Sequence, residues 1–250
     1  MSRLPITATI ITLNEAANLA ETIHALAFVD EVLVVDAGSS DGTQALAQQL
    51  GATVHHQPFL GYGAQKNHAA SLARNPWILN IDADETVSPA LAAEIVQLFT
   101  AGQPAGYVYS IPRALVFMGH TFAHSRESRQ RQVRLYAKGS AAFAPVAVHE
   151  AVQSSLPVAK LRGIALHRSY ASIAQYLATF NAYTTKGAVA LVALGKRASL
   201  LWIALRLPLD FIKLYLLQGN FLEGWPGFYW ALLSSWYPVV KYLKVWESDQ

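Results

Sequence analysis

The first 85 residues repeat a unit in which an apolar strand pattern, a short polar loop and a helical pattern follow one another. The strand patterns are rich in aliphatic and β-branched residues and cover 6–13, 31–36, 52–56 and 77–79. The helical patterns between them cover 18–27, 44–50 and about 64–73. Strands that alternate with helices are typical of a parallel sheet with helical crossovers. The sequence therefore predicts an α/β fold with a Rossmann-like, mostly parallel sheet.

Acidic residues follow the strand pattern at 77–79, in the sequence Asn80-Ile81-Asp82-Ala83-Asp84-Glu85. Asp82 and Asp84 lie on the same side of an extended backbone, at the sheet edge where open α/β sheets bind ligands. Carboxylates combined with phosphate oxygens are ligands that Mg²⁺ and Mn²⁺ prefer. The alternative is an exposed turn before a capped helix that starts at Ser88-Pro89.

Composition and charge divide the chain. Its 250 residues, 53% of them hydrophobic, are enough for one sizeable α/β domain with an appendage, and the absence of cysteine excludes disulfides and thiolate metal sites. Residues 1–150 hold 9 Lys/Arg and 12 Asp/Glu, a net charge of −3, whereas 151–250 hold 10 and 4, a net charge of +6. The basic, apolar C-terminal part of the chain therefore indicates a region that meets an anionic membrane surface. The first residues lack the apolar core of a signal peptide, which favours the cytosolic side.

After residue 98 the pattern changes. Residues 107–111 and 132–136 are predicted strands of an antiparallel or mixed region, and the arginine-containing stretch 113–131 is a predicted loop. The dinucleotide fingerprint is missing, because Gly61-x-Gly63 lacks the third glycine, and this argues against a nicotinamide enzyme.

The last 80 residues are apolar and predicted to be helical. A helix is expected from Ser172 to Leu194, and charges about one turn apart in 199–217 indicate an amphipathic helix. The uncharged stretch 224–240 has 17 residues and two prolines, which favours an interfacial or re-entrant segment; a core hairpin or an oligomer interface is the alternative. Many aliphatic residues among few cations favour lipid over nucleic acid as partner. The side chains expected to enter the lipid are Trp202, Phe211, Trp225, Phe228 and Trp230.

These motifs together resemble the family 2 glycosyltransferases, which have the nucleotide-sugar-binding GT-A fold. The likeness lies in 10–15, in Val34-Val35-Asp36-Ala37-Gly38-Ser39-Ser40-Asp41-Gly42-Thr43 and in Asp82-Ala83-Asp84-Glu85. A less specific likeness, to bacterial lipopolysaccharide-core glucosyltransferases, runs from Arg134-Leu135-Tyr136 through Phe143 and Val148-His149-Glu150 to Lys241-Tyr242-Leu243-Lys244. The resemblance implies a GT-A catalytic domain over 1–170, with a donor half (1–100) and an acceptor half (101–170), and a helical membrane-associating region over 171–250.

The resemblance also implies site residues. Those expected to contact a UDP-sugar donor are Thr12, Asn14, Glu15, Asp36, Lys66, Asn67, Asp82 and Asp84. Asp84 is the expected direct ligand of a divalent cation (Mn²⁺ or Mg²⁺), with Asp82 and His149 as further ligands and His167 as an alternative third one. Simpler interpretations remain open: Asp36 caps its own turn, and Lys66 is a solvated side chain.

An inverting transfer needs a base on the acceptor side of the anomeric carbon, and Glu150 is the candidate. The arginines expected to bind phosphate or an anionic acceptor are Arg126, Arg129, Arg131 and Arg134. The expected activity is metal-dependent transfer of a hexose, with glucose favoured, to a lipid-linked glycan, the lipopolysaccharide inner core, at the cytoplasmic face of the inner membrane. A polyprenyl-phosphate acceptor and a non-catalytic, membrane-attached sugar-nucleotide sensor are the alternatives.

Overall fold

The computed structural model describes residues 3–102, 105–144, 152–170, 172–197 and 199–248. The strands are β1 (Leu4–Thr12), β2 (Val29–Asp36), β3 (Thr53–His56), β4 (Trp77–Asn80), β5 (Glu85–Val87), β6 (Val108–Phe117), β7 (His120–Thr121), β8 (Gln130–Ala137), β9 (Ala142–Phe143), β10 (Val152–Gln153), β11 (Val158–Lys160) and β12 (Ala165–Tyr170). The helices are α1 (Ala16–His24), α2 (Thr43–Gln49), α3 (Tyr62–Leu72), α4 (Pro89–Thr100), α5 (Ile173–Ala193), α6 (Leu200–Ile212) and α7 (Gly224–Glu247). Two 3-10 turns cover Arg126–Ser128 and Asn220–Glu223, and a π-helical turn covers Lys213–Leu217.

The chain divides into two compact units. The first contains the residues up to Ala114 together with Gln130–Arg168, and the second contains Leu115–Arg129 together with the residues from Ser169 onward. In the first unit, β3, β2, β1 and β4 lie side by side and run parallel. Next to β4 the sheet continues with β8 and β6, each antiparallel to its neighbour. The predicted mixed, mostly parallel α/β fold is confirmed for the strands of the first half.

The centre of this sheet is buried on both faces. Ile6, Ala8 and Ile10 on one face of β1 and Thr7 and Thr9 on the other are all fully buried, as expected for a parallel strand that is covered on both sides. The start of α4 is fixed by Ser88, whose Oγ accepts a hydrogen bond from Leu91 N (3.2 Å), and by Pro89 in the first turn. The helix start predicted at Ser88-Pro89 is therefore confirmed.

The second unit is mainly helical and contains its own aromatic cluster. Trp230 of α7 lies 5.4 Å from Phe117 and 6.2 Å from both Phe122 and Tyr176, measured between ring centroids. Pro226 lies in the first turn of α7, where a missing N–H disrupts no helical hydrogen bond, and α7 continues past Pro238. Among the described residues, no helix combines the length and the apolar character needed to span a bilayer.

The predicted loop over 113–131 is wrong at both ends, because Arg113 belongs to β6 and Arg131 to β8. Strand β6 continues to Phe117, because residues 114–117 are apolar and buried and pair with β7 at the end of the strand. Arg113 therefore belongs to a strand, and its guanidinium lies 3.7 Å from Glu85 Oε1.

Candidate active site

The ends of neighbouring parallel strands bring the predicted donor residues to one edge of the sheet. Thr12 at the end of β1 lies opposite Asp36 at the end of β2, and Thr9 lies opposite Asn80 at the end of β4. Asp82 and Asp84 follow directly after β4. The carboxyl ends of parallel strands are where sheets of this type bind ligands.

Asp36 is fully buried and organises the loop that follows it. Its Oδ1 accepts hydrogen bonds from Gly38 N (2.9 Å), Ser39 N (2.8 Å) and Gln44 Nε2 (2.6 Å), while its Oδ2 accepts from Thr12 Oγ1 (2.8 Å) and from Ser39 Oγ. Burial alone would raise the pKa of Asp36, but these hydrogen bonds outweigh it and lower the pKa. Asp36 is therefore held as a carboxylate whose oxygens are engaged by its own loop, which matches the alternative interpretation of this residue.

Asn14 and Glu15 join the loop after β1 to the loop after β2. Asn14 has a left-handed backbone (φ 58°), and its Oδ1 accepts from Ser40 N (2.9 Å). The N–H of Glu15 donates to Thr43 Oγ1 (2.9 Å). Burial raises the pKa of Glu15, and the nearby negative charge of Asp84 adds to the rise. Glu15 therefore faces the same acidic region as the Asp-x-Asp pair.

Both oxygens of Asp82 are engaged in ion pairs. Lys66 Nζ, on α3, lies 2.8 Å from Oδ1, and Arg134 Nη2, on β8, lies 2.7 Å from Oδ2. Burial alone would raise the pKa of Asp82, but the charges of Arg134 and Lys66 outweigh burial and hold it far below its usual range. Lys66 itself is only 7% exposed, so it is not the solvated side chain of the alternative interpretation.

Arg134 is the centre of a buried charge cluster. Its guanidinium also donates to Asn80 Oδ1 (2.9 Å) and to Glu85 Oε1 (2.7 Å). Glu85 is fully buried, and its Oε2 accepts from the N–H of Asp82 (3.1 Å). Burial raises the pKa of Glu85 despite the nearby Arg134. The cluster fixes the turn at residues 80–85 and neutralises Asp82.

Asp84 has a different partner. Its Oδ2 lies 3.1 Å from His167 Nε2, and both side chains remain partly exposed. Strand β12 pairs antiparallel with β5 so that His167 lies opposite Glu85, and the N–H of Arg168 donates to the carbonyl of Asp84 (2.9 Å). One carboxylate and one imidazole at an open edge fit a divalent cation that takes its other ligands from phosphate and water. In the described part of the chain, no group of three His, Asp or Glu side chains is placed to hold a metal.

Asn67 does not face the carboxylates. Its side chain pairs with the backbone of Phe143 in β9, with Nδ2 donating to the carbonyl (2.9 Å) and Oδ1 accepting from the N–H (2.8 Å). Asn67 thus fixes β9 against α3. His149 and Glu150 lie outside the described residues, so their predicted roles as metal ligand and base stay predictions.

The four arginines predicted to bind an acceptor are divided between the two units. Arg134 is inside the charge cluster, and Arg131 Nη1 donates to the carbonyls of Ser110 (3.2 Å) and Leu161 (2.9 Å). Arg126 and Arg129 belong to the second unit, where they line a separate cavity.

Comparison with known proteins identifies the family. Residues 7–151 match the family model described as "Glycosyl transferase family 2". The chain belongs to glycosyl transferase family 2. An "Uncharacterized glycosyltransferase" from Rickettsia felis is 35% identical over 97% of this chain and 90% of its own length. The "Lipopolysaccharide core biosynthesis glycosyltransferase LpsC" from Rhizobium meliloti is 31% identical over 98% of this chain and 93% of its own length.

Among solved structures, the chain is similar to glucosyl-3-phosphoglycerate synthase from Mycobacterium tuberculosis in complex with Mn²⁺, UDP and glucosyl-3-phosphoglycerate. That likeness has a TM-score of 0.37 and 23% identity, and it covers 44% of each chain. Membership of glycosyl transferase family 2 rests on the sequence matches.

In this family 2 glycosyltransferase, three residues that the sequence did not indicate belong to the charge cluster around Arg134: Glu85, Arg113 and Asn80. Glu85 was noted only as the residue after the Asp-x-Asp pair. Its position three residues after Asp82 could have indicated a role, because in a tight turn a side chain at that spacing can accept from the backbone N–H. Nothing in the sequence indicated the role of Arg113, because its part of β6 was predicted to be a loop.

Proposed function

We propose that this chain is a metal-dependent, inverting glycosyltransferase that transfers a hexose from a UDP-sugar to a membrane-borne glycan, the lipopolysaccharide inner core. The observation that carries the proposal is the different pairing of the two carboxylates at the sheet edge: Asp82 is held between Lys66 and Arg134, while Asp84 lies beside His167. A carboxylate with a neighbouring imidazole suits a cation that is shared with a diphosphate.

Asp84 and His167 would hold the cation, which when bound supplies positive charge to the leaving diphosphate. Lys66 adds a second positive charge close by, and its ion pair with Asp82 fixes its position before the donor arrives. Thr12, Asn14, Glu15 and Asp36 shape the two loops that would bracket the nucleoside, acting mainly through the hydrogen bonds between those loops.

The acceptor assignment rests on the relative LpsC, whose name refers to lipopolysaccharide core biosynthesis. Such a glycan is anchored in a membrane, and the second unit exposes many large apolar side chains, among them Leu201 and Trp225, each 72% exposed. We therefore also propose peripheral attachment to the cytoplasmic face of the inner membrane.

The test is UDP release from UDP-glucose, UDP-galactose and UDP-N-acetylglucosamine, measured with Mn²⁺ and a truncated lipopolysaccharide acceptor. The change Asp84→Asn is expected to lower the rate at least about 100-fold, because charge stabilisation of the leaving group is lost. The matched control is Asp30→Asn. It removes one carboxylate near the start of β2, at the other end of that strand from Asp36, where Asp30 pairs with Arg74. Equal activity of both variants, or unchanged activity after chelation of the metal, would contradict the proposal.

A further inference from the structure

A basic cavity lies in the second unit. Its volume is about 440 Å³, and its lining residues are Arg126, Arg129, Lys213, Leu217 and Gln218. They come from two segments far apart in sequence, the 3-10 turn after Ser125 and the π-helical turn after α6. The cavity therefore depends on the fold and is not a run of neighbouring cations.

The charge of this cavity comes from three cations. In the described ranges, none of Arg126, Arg129 and Lys213 forms an ion pair, and all three are exposed. Two acidic side chains of the same unit are engaged elsewhere: Asp210 pairs with Arg206, and Glu223 accepts from backbone N–H groups. Three like charges around one depression repel each other, and an anion bound between them would relieve that repulsion.

The backbone that forms the cavity is fixed in advance. The N–H of Arg126 donates to the carbonyl of Gln218 (2.9 Å), which ties the two lining segments together. Glu223 Oε1 accepts from the N–H groups of Ala123 (2.9 Å), His124 (2.6 Å) and Ser125 (2.8 Å), which holds the chain just before Arg126. A binding site whose backbone is already ordered loses less entropy when a ligand binds.

The surroundings of the cavity are apolar. Leu217, which lines it, is 80% exposed, and the chain next to it exposes Leu216, Phe221 and Leu222. A soluble phosphate would use the cations but leave these side chains in water. A ligand with an anionic head and an apolar body matches both features.

We propose that Arg126, Arg129 and Lys213 form a binding site for the phosphate group of an anionic membrane lipid, with Leu217 at its apolar rim. The choice of occupant rests on the proposed membrane attachment, whereas the site itself does not involve the donor residues. Vesicle binding without a donor tests this site, and UDP release without vesicles tests the glycosyltransferase, so failure of either is distinguishable.

The first experiment is co-sedimentation of the full chain with phosphatidylcholine vesicles that do or do not contain phosphatidylglycerol. The triple variant R126Q/R129Q/K213Q is expected to lose at least about tenfold in affinity for the anionic vesicles. The control K186Q/K196Q/R197Q removes three exposed cations of the same unit that do not line the cavity, and it should lose less than about threefold. Equal losses in the two variants would mean unspecific attraction and would overturn the proposal.

The second experiment separates a lipid from a free phosphate. Calorimetric titration with dihexanoyl phosphatidic acid should give binding at least about tenfold tighter than titration with inorganic phosphate, and R126Q/R129Q/K213Q should abolish both. Leu217→Ser should weaken the binding of the lipid and leave the binding of inorganic phosphate unchanged. Equal affinity for the two ligands, or binding that persists in the triple variant, would overturn the assignment to lipid. Circular dichroism of each variant checks that the helices are intact.

Discussion

Two acidic side chains two positions apart in sequence have different roles because different partners reach them. Arg134 and Lys66 approach Asp82 from β8 and α3, whereas His167 approaches Asp84 from β12. A carboxylate between two cations stays ionised and keeps a fixed orientation, but its charge is balanced by theirs. The negative charge available to a cation at this edge is therefore that of Asp84.

Replacing Arg134 tests how much the buried cluster contributes to stability. Arg134→Gln leaves the carboxylates of Asp82 and Glu85 without their shared cation, and we expect a loss of about 3–5 kcal/mol in the free energy of unfolding. Urea denaturation measures it. The control is Arg74→Gln, which breaks the ion pair between Arg74 and Asp30. These side chains are 66% and 43% exposed, so the free energy of unfolding should fall by less than about 1 kcal/mol. Equal losses would contradict a structural role for the cluster.

Glu150 separates the two kinds of acceptor. A sugar hydroxyl must lose a proton as it attacks, so Glu150→Gln should lower transfer to a glycan about 10²- to 10⁴-fold. A polyprenyl phosphate is already ionised, and its reaction should be nearly unaffected. Transfer to each acceptor is measured at saturating donor, with Asp30→Asn as a variant that also loses one negative charge. A glycan reaction that survives in Glu150→Gln would remove Glu150 as the base.

At the residue scale, the sequence predicted which strand ends meet but not which partners each side chain has. Asp36, Asp82 and Asp84 could be placed at one edge because parallel strands share that edge. The inward direction of Arg134 depends on the pairing of β8 with β4, a contact between residues more than 50 positions apart. Asn67 likewise has its partner in β9, 76 positions away, so no local pattern could indicate it.

At the scale of elements, the carboxylate of Glu223 connects the 3-10 turn before α7 to the loop after β7. Burial alone would raise the pKa of Glu223, but hydrogen bonds from His124, Ser125, His120 and Ala123 outweigh it, and the pKa is lowered. A carboxyl group with a lower pKa in the folded than in the unfolded state stabilises the fold above its unfolded pKa. That stabilisation is lost as the pH falls through the folded pKa.

The stability of the second unit should therefore decrease below the ordinary Glu pKa of 4.5, and Glu223→Gln should flatten this dependence. At neutral pH the same change should lower the free energy of unfolding by about 1.5–3 kcal/mol, the usual contribution of hydrogen bonds to a charged group. Tryptophan fluorescence in urea is a suitable probe, because all tryptophans except Trp77 lie in this unit. Glu247→Gln removes an exposed carboxylate and should leave the pH dependence unchanged. A steep acid dependence that persists in Glu223→Gln would contradict this role.

The helices of residues 171–250, the tail of the chain, were largely predictable, whereas the direction of their side chains was not. The spacing of charges in 199–217 predicted an amphipathic helix, and α6 with its π-helical turn covers most of that stretch. Trp230, expected to enter the lipid, packs against Phe117, Phe122 and Tyr176 instead. Apolar character alone cannot separate a side chain that fills a core from one that meets a membrane.

At the scale of the whole molecule, this core contact changes how membrane attachment should be tested. Deleting residues 199–250 would remove Trp230 and uncover the aromatic cluster, so loss of vesicle binding would also report misfolding. The variant L201S/L209S/W225S changes only side chains that are 72%, 54% and 72% exposed. It should lower the affinity for anionic vesicles at least about tenfold, since three apolar side chains no longer enter the lipid.

The matched control for that variant is F59S/Y107S/V158S, which changes three apolar side chains of the first unit that are 53%, 47% and 53% exposed. Each variant replaces three exposed apolar side chains by serine, and only the tail variant should lose sedimentation with vesicles. Vesicles with and without phosphatidylglycerol separate the apolar contribution from the electrostatic one, because the cations of the tail are intact in both variants. If the tail variant sediments like the unchanged chain, the exposed apolar residues of α6 and α7 do not attach this glycosyltransferase to a membrane.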